Sequence, residues 1–353
     1  MTSPSTTDLL EVTAWPVRGQ DDAVETLRSA VERGQPRHAY IFGGPEGTGK
    51  SALATAFAQA LQCDQPPAPG IACRQCRSCR KIARGVHPDV QTFSLERQAA
   101  LAERGNGKNT SLTIESVREL TAMSALRPME GRWRVMLIED AETLQEVAQE
   151  ALLKTLEEPP GFMVLILLTD DAETLLPTVR SRCESLDVRP VPHPILVQSL
   201  TDSGATEELA RDVAALAVGR IGWAHRAVIE PALIKRRREA LDRALTWAQA
   251  DGYHRLVTAV RMGDAFAKKR DETFLELEAV LGLWRDALLA RLGLPRFMTN
   301  PAQAEQYAEL FGGWDVGALH RAIGSVHECI GDLETNVRPR LALEAMVLQW
   351  PTR

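Results

Sequence analysis

No apolar run in this chain approaches the roughly 20 residues that a helix needs to cross a bilayer, and Met1 to Asp8 lacks the charged-then-apolar pattern of a signal peptide. A membrane span and a secreted product are therefore not expected, and these absences point to the cytoplasm. A strong excess of charge of either sign is missing as well. The formal net charge is −6 over 353 residues, which excludes a global nucleic-acid footprint and leaves any DNA contact to a local patch or to partner subunits. No repeat of fixed period and no low-complexity tract breaks the sequence. Cysteine is sparse, six in all, yet Cys63, Cys73, Cys76 and Cys79 crowd into 17 residues while Cys183 and Cys329 stand alone. In a cytoplasmic chain such crowding points to a metal rather than to disulfides. The length exceeds what one compact core serves and predicts two or three domains.

What the sequence does contain is a phosphate-binding loop. Gly44-Pro45-Glu46-Gly47-Thr48-Gly49-Lys50-Ser51 matches the pattern of four arbitrary residues between a glycine and Gly-Lys-Ser. Ala39 to Phe42 is an apolar run of strand length before it. Ala52, Leu53, Ala56, Phe57, Ala60 and Leu61 recur at helical spacing after it. A strand, a glycine-rich turn and a helix start aim backbone N–H groups and the positive helix end at a nucleotide's phosphates. Lys50 would meet the β- and γ-phosphates and Ser51 a magnesium ion.

Helical spacing before the loop (Ala23, Leu27, Ala30, Val31) predicts a lead-in helix ended at Gly34-Gln35-Pro36. After the cysteines come strand-like Val90 to Phe93, a polar loop around Glu103 to Lys108 and an amphipathic helix from Ile114 to Leu126. Then follow a strand at Val135 to Ile138, a helix from Val147 to Leu156 stopped by Pro159-Pro160, and the apolar strand Met163 to Leu168. A helix from Leu175 to Arg182 and a strand near Leu186 to Val188 complete an alternation that predicts a parallel sheet covered by helices on both faces. Three prolines between Pro190 and Pro194 mark a boundary. Beyond it the chain reads as helical, with about three short helices to Ile229 and longer repeats from Lys235 to Trp350 that form a bundle. The expected division is 1–190, 191–233 and 234–353.

Four further groups carry chemistry. The C-x9-C-x2-C-x2-C spacing of Cys63, Cys73, Cys76 and Cys79 suits one tetrahedral zinc with every position filled by protein, hence structural; a redox pair is the alternative. Arg74, Arg77, Arg80, Lys81 and Arg84 make this 63–79 insertion and its exit basic, either as a solvated rim or as a partner surface. Glu139-Asp140 follows the strand Val135 to Ile138, where nucleotide hydrolases place one carboxylate on magnesium and another on the attacking water. The usual order is Asp then Glu, so the inversion shifts each carboxylate by about one methylene and weakens metal or water alignment. Acids that merely cap the next helix are the other reading. Thr169 ends the apolar strand, as a γ-phosphate contact or simply a strand-terminal threonine. Ser181-Arg182-Cys183 places an outward arginine suited to a neighbouring subunit's nucleotide, or an ordinary surface charge.

Together these residues resemble the delta-prime subunits of bacterial DNA polymerase III clamp loaders, within the AAA+ class. The resemblance rests on Arg37-His38-Ala39-Tyr40, the four-cysteine insertion, Gly85-Val86-His87-Pro88-Asp89, Gly107-Lys108-Asn109-Thr110, ALLKTLEEPP from Ala151 to Pro160, Ser181-Arg182-Cys183, and Arg340-Leu341-Ala342-Leu343-Glu344. It is strongest from 37 to 183 and thin between 230 and 335. It implies an α/β P-loop AAA+ domain with a parallel sheet and zinc module, a small helical lid domain and a C-terminal all-α collar. It further implies a hetero-pentamer with gamma/tau-type motor and delta-type subunits that loads the sliding clamp onto primer–template DNA with ATP, Arg182 acting as an arginine finger in trans. The gamma/tau-like motor is the rival family member. His87-Pro88-Asp89, the absence of a polymerase-binding tail, and Gly222 where the motor's second sensor carries arginine favour delta-prime, with weak or absent hydrolysis of its own. A self-contained P-loop ATPase is the alternative of a different class.

Overall fold

The computed structural model describes residues 15–101, 111–299, 303–334 and 337–351. The polar loop of Glu103 to Lys108 and the Gly107-Lys108-Asn109-Thr110 motif lie outside them. Contacts sort the chain into two compact units, one of residues 1–199 with 219–223 and one of 200–218 with 224–353. The expected break at Pro190 to Pro194 falls inside the first unit, because Val191 N–H donates to Gly219 O (2.9 Å) and Gly222 N–H to Gly47 O (2.8 Å), drawing 219–223 back to the first unit. Of the helices expected as a lid, Glu207–Ala217 falls in the second unit with those expected as a bundle, while His193–Asp202 and Ile221–Ile229 are each divided between the units.

Five parallel strands make the sheet of the first unit: β1 (Ala39–Gly43), β2 (Val90–Phe93), β3 (Arg134–Ile138), β4 (Met163–Thr169) and β5 (Glu184–Asp187), in the order β2-β3-β4-β1-β5. Successive residues face opposite sides, as the two-residue strand period requires. Tyr40, Phe42, Val135, Leu137, Val164 and Ile166 enter one core, with Leu53 and Phe57 of the helix α1 (Lys50–Gln62). Ala39, Ile41, Met136, Ile138, Leu165 and Leu167 enter the other, with Val117 and Leu120 of α2 (Ile114–Ser124) and Leu152 of α3 (Glu146–Glu157). Burial on both faces is why β3 and β4 read as unbroken apolar runs.

Register fixes what meets at the sheet's edges. Gly43 pairs with Thr169 and with Asp187, and Ile138 pairs with Leu167. Glu139, Asp140, Asp170 and the phosphate loop therefore leave the sheet side by side at its carboxyl edge, where open parallel sheets bind ligands. The helix expected over Leu175 to Arg182 is shorter. A 3-10 turn at Ala172–Thr174 precedes a single turn, Pro177–Arg180, because Pro177 at the first helical position cannot extend the helix backward. A helix at Leu95–Leu101, which the sequence pattern does not announce, follows β2.

A buried charge pair anchors β3. Asp89, fully buried, accepts from the backbone N–H of Met129 (2.6 Å), Glu130 (2.7 Å) and Gly131 (2.8 Å) and from Arg134 Nη1 (3.1 Å). His87 Nδ1 accepts from Asp89 N–H (3.1 Å), and Arg134 also donates to Pro88 O and Met123 O. His87-Pro88-Asp89 is thus a lock that ties the exit of the cysteine insertion to the loop entering β3.

In the second unit, Trp284 packs edge-on to Phe311 (5.6 Å) and Trp350 (5.4 Å) and tilts against Trp314 (5.3 Å). Gly263 in the helix Gly252–Ala265 lets the helix Pro339–Leu348 approach so closely that a Cβ would stand 2.4 Å from Arg340 Cα. Among the described residues no helix is long and apolar enough to cross a membrane.

Burial works against the Asp89 charge, but the three N–H donors and Arg134 outweigh it and hold the carboxyl below the usual range. Replacing one member of a buried pair strands the other, so Asp89→Ala should cost about 3–5 kcal/mol in urea unfolding at pH 7. A carboxylate with a depressed folded pKa stabilises above its unfolded value near 4, and that contribution is lost as pH falls through the folded value. The gap between wild type and Asp89→Asn should therefore close below about pH 4; a gap that stays constant with pH would contradict an ionised Asp89.

Candidate nucleotide and metal sites

The phosphate loop turns out of β1 at Gly44, whose φ of 151° and whose Cβ position, 2.0 Å from Val188 O, leave room for glycine alone. Thr48 is buried and its hydroxyl donates to Pro45 O (2.8 Å), bracing the loop from inside. Gly49 then caps α1 in the left-handed region, and Lys50 and Ser51 open the helix, so that the first-turn N–H groups face the loop mouth. Lys50 is buried. Its ammonium donates to Gly44 O (2.6 Å), Pro45 O (3.1 Å) and the carboxylate of Asp170 (2.6 Å), which accounts for all three of its protons.

The sequence-predicted acids gather at the same edge. Glu139 continues β3, its N–H donating to Phe93 O (2.9 Å). Asp140 sits in the left-handed region at φ 53°, a conformation aspartate tolerates better than most residues, and its carbonyl takes the N–H and hydroxyl of Thr143. Burial, then the neighbouring Asp140, raises the Glu139 carboxyl; burial, then Asp170, raises Asp140. Thr169 is buried and its hydroxyl donates to Asp171 O (2.8 Å), so a local turn uses the proton proposed for a γ-phosphate. Neither Asp170 nor Glu142 stands out in the sequence. Asp170 follows Thr169 at the carboxyl end of β4, and Glu142 accepts its backbone N–H (3.2 Å). Burial raises Glu142, with Asp170 adding to the effect. One ammonium and four carboxylates around a row of N–H donors form a site suited to a polyanion accompanied by a divalent cation. Ser51 and the Glu139–Asp140 pair are the residues that could hold the cation.

Arg182 is elsewhere. It precedes β5 by two residues, and Glu184 pairs with Tyr40 near the start of β1, so the arginine lies at the sheet's amino edge. From Glu184 to Asp187 the strand advances about 10 Å toward the phosphate loop, and Arg182 stands behind its beginning. The guanidinium is half-buried, donating to Glu157 Oε1 (2.8 Å) and Thr178 O (2.9 Å). Gly222, by contrast, lies on the phosphate loop: its N–H bonds Gly47 O, and it has no side chain to extend toward a phosphate.

Cys63, Cys73, Cys76 and Cys79 converge, their sulfur atoms all within 4.8 Å of one another. Four thiolates around one zinc stand about 3.8 Å apart, from Zn–S bonds of about 2.3 Å, so the cluster fits with a small contraction. N–H groups of Cys73, Cys76 and Cys79 point at the sulfurs of Cys63 (3.2 Å), Cys73 (3.2 Å) and Cys76 (3.4 Å), the donors a charged thiolate needs. Burial opposes the Cys73 thiolate, yet N–H bonds from Gln75 and Cys76 bring its thiol down to about 7, while burial pushes Cys79 up. All four are free thiols. With no open position the metal would cross-link the insertion rather than act on a substrate. Elemental analysis of the reduced chain should find about one zinc per molecule, and Cys76→Ser should lower both zinc content and thermal midpoint. A metal-free, equally stable chain would eliminate the zinc assignment.

Residues 19–192 match the family model described as "DNA polymerase III, delta subunit". The chain is 40% identical over 151 residues to a DNA polymerase III subunit delta' of Pseudomonas aeruginosa, covering 43% of each protein. It is 36% identical over 177 residues to that of Escherichia coli, covering 50% of each. A gamma/tau subunit of Mycobacterium bovis is 32% identical over 176 residues, 50% of this chain and 28% of that protein. The chain thus spans half or less of the length of these curated relatives. Residues 19–192, the stretch that the family model matches, hold the phosphate loop, the four cysteines and Arg182, and the relatives to which the chain is similar are DNA polymerase III subunits of the delta-prime type.

Proposed function

We propose that this chain is a delta-prime-type subunit of a clamp loader, a member of a hetero-pentamer with gamma/tau-type motor and delta-type subunits that loads a sliding clamp onto primer–template DNA. The observation that carries the reading is the separation of Arg182 from the chain's own phosphate loop, at opposite edges of one parallel sheet. A guanidinium so placed cannot serve its own nucleotide; it can serve one bound by a neighbour. On this reading Glu157 keeps the arginine oriented until a neighbour's phosphates compete for it. Developing negative charge on a transferring phosphoryl group is then met by a fixed cation. In the further division of labour, 191–233 serves as a lid and 234–353 as the collar that joins subunits.

The chain's own loop has a quieter role. Lys50 is bonded on all three protons, the acids run in inverted order, Thr169 is committed to a turn and Gly222 brings no arginine. These features support nucleotide binding with little turnover. The complete Gly44-to-Ser51 cradle favours the second reading, a motor or self-contained ATPase.

Two measurements divide these readings. The isolated chain should turn over ATP slowly or not at all, yet raise the ATPase of a motor partner; brisk turnover alone would favour the second reading. Arg182→Ala should leave assembly intact while removing one site's share of clamp- and DNA-stimulated ATPase, since an arginine finger is worth about 10³–10⁵ at its own site. ATPase per complex equal to wild type would rule out the finger.

A further inference from the structure

Lys50 meets an anion from its own chain. Asp170 Oδ1 lies 2.6 Å from Nζ, across 120 residues of sequence, in a contact between a buried lysine and a half-exposed carboxylate. The position is not accidental to the backbone. The register of β4 beside β1 brings Thr169 level with Gly43, so the next residue of each strand, Asp170 and Gly44, emerges at the loop mouth. Glu142 accepts the Asp170 N–H, and Thr169 binds the Asp171 backbone in both directions, so the turn carrying the carboxylate is held on two sides.

We infer that Asp170 is a built-in competitor of the nucleotide: its carboxylate occupies on Lys50 the place of a phosphate oxygen, and a nucleoside di- or triphosphate binds by displacing it. The inference rests on the reading that the Gly44-to-Ser51 cradle takes a nucleotide. Two physical consequences follow. Part of the attraction between Lys50 and the phosphates is spent on breaking an existing charge-assisted bond. The displaced carboxylate then joins Glu139, Asp140 and Glu142 beside the incoming phosphates, where like charges repel. Asp170 therefore sets a weak affinity for nucleotide, and a divalent cation relieves the repulsion by bridging carboxylates and phosphates.

Titration of the full chain with fluorescent N-methylanthraniloyl ADP and ATP, in excess EDTA and in magnesium, tests this. Asp170→Asn should bind both nucleotides about tenfold tighter in EDTA, a modest share of a contact at this distance. In magnesium it should bind at least as tightly as wild type. Asp170→Ser, which also lacks the charge, should behave alike and guards against a folding artefact in one variant. With Lys50→Met in the background the gain should largely vanish, because the competition is for that ammonium. Weaker binding of Asp170→Asn in magnesium alone would make Asp170 a cation ligand and overturn the proposal. So would a full gain surviving Lys50→Met, which would mean general charge relief. If neither wild type nor Asp170→Asn binds nucleotide at millimolar concentration, the inference falls; stimulation of a motor partner's ATPase in the same preparation would leave the subunit reading intact.

Discussion

All five strands of the sheet run in one direction, and that constraint decides which groups can meet. Parallel pairing of β1 with β4 and β5 brings the phosphate loop, Asp170 and the Glu139–Asp140 pair out at one edge. The same pairing carries the start of β5, and Arg182 with it, to the other. Reversing β4 would take Asp170 away from the phosphate loop, and reversing β5 would bring Arg182 to it. The arrangement of the unit, with the phosphate loop and the acids at one edge and Arg182 at the other, is in this sense a property of strand direction before it is a property of any side chain.

What could be read from the sequence was what depends on short spacing. The phosphate loop, the four cysteines and the apolar strands each lie within a few dozen residues, and their patterns reflect a turn, a knuckle and a doubly buried strand. The hydrogen bonds that couple such segments were not legible. Asp170 reaches Lys50 across 120 positions, and Asp89 reaches Met129 to Gly131 across 40 to 42. No local period marks an aspartate for such a partner. In the sequence His87-Pro88-Asp89 is only a family likeness, and its physical content, a buried carboxylate saturated with donors, emerges from the packing. The helix before Arg182 is shorter than its apolar spacing suggests for a local reason: Pro177 starts a helix and forbids its backward extension.

Within the first unit, the buried charges Lys50, Asp89 and Arg134 lie where the sheet joins its insertion and its loop. Arg134 with Asp89 and Lys50 with Asp170 are both tight, but they differ in kind. The first pair is sealed and its carboxylate is saturated with donors, so it serves rigidity. The second leaves its carboxylate half in solvent, so it can be exchanged for another anion. Desolvation separates a permanent fastening from a reversible one.

The helix α1 deserves a mechanical reading. Its first residue is Lys50, and its last, Gln62, both donates to the Trp133 carbonyl and accepts the N–H groups of Arg132 and Trp133, one residue before Cys63. Thirteen residues of helix span about 20 Å and do not stretch appreciably. Any axial displacement imposed at the phosphate loop is delivered nearly whole to the base of the cysteine knuckle and to the strand entering the sheet. The helix is a push-rod with the phosphate loop at one end and the four-cysteine knuckle at the other.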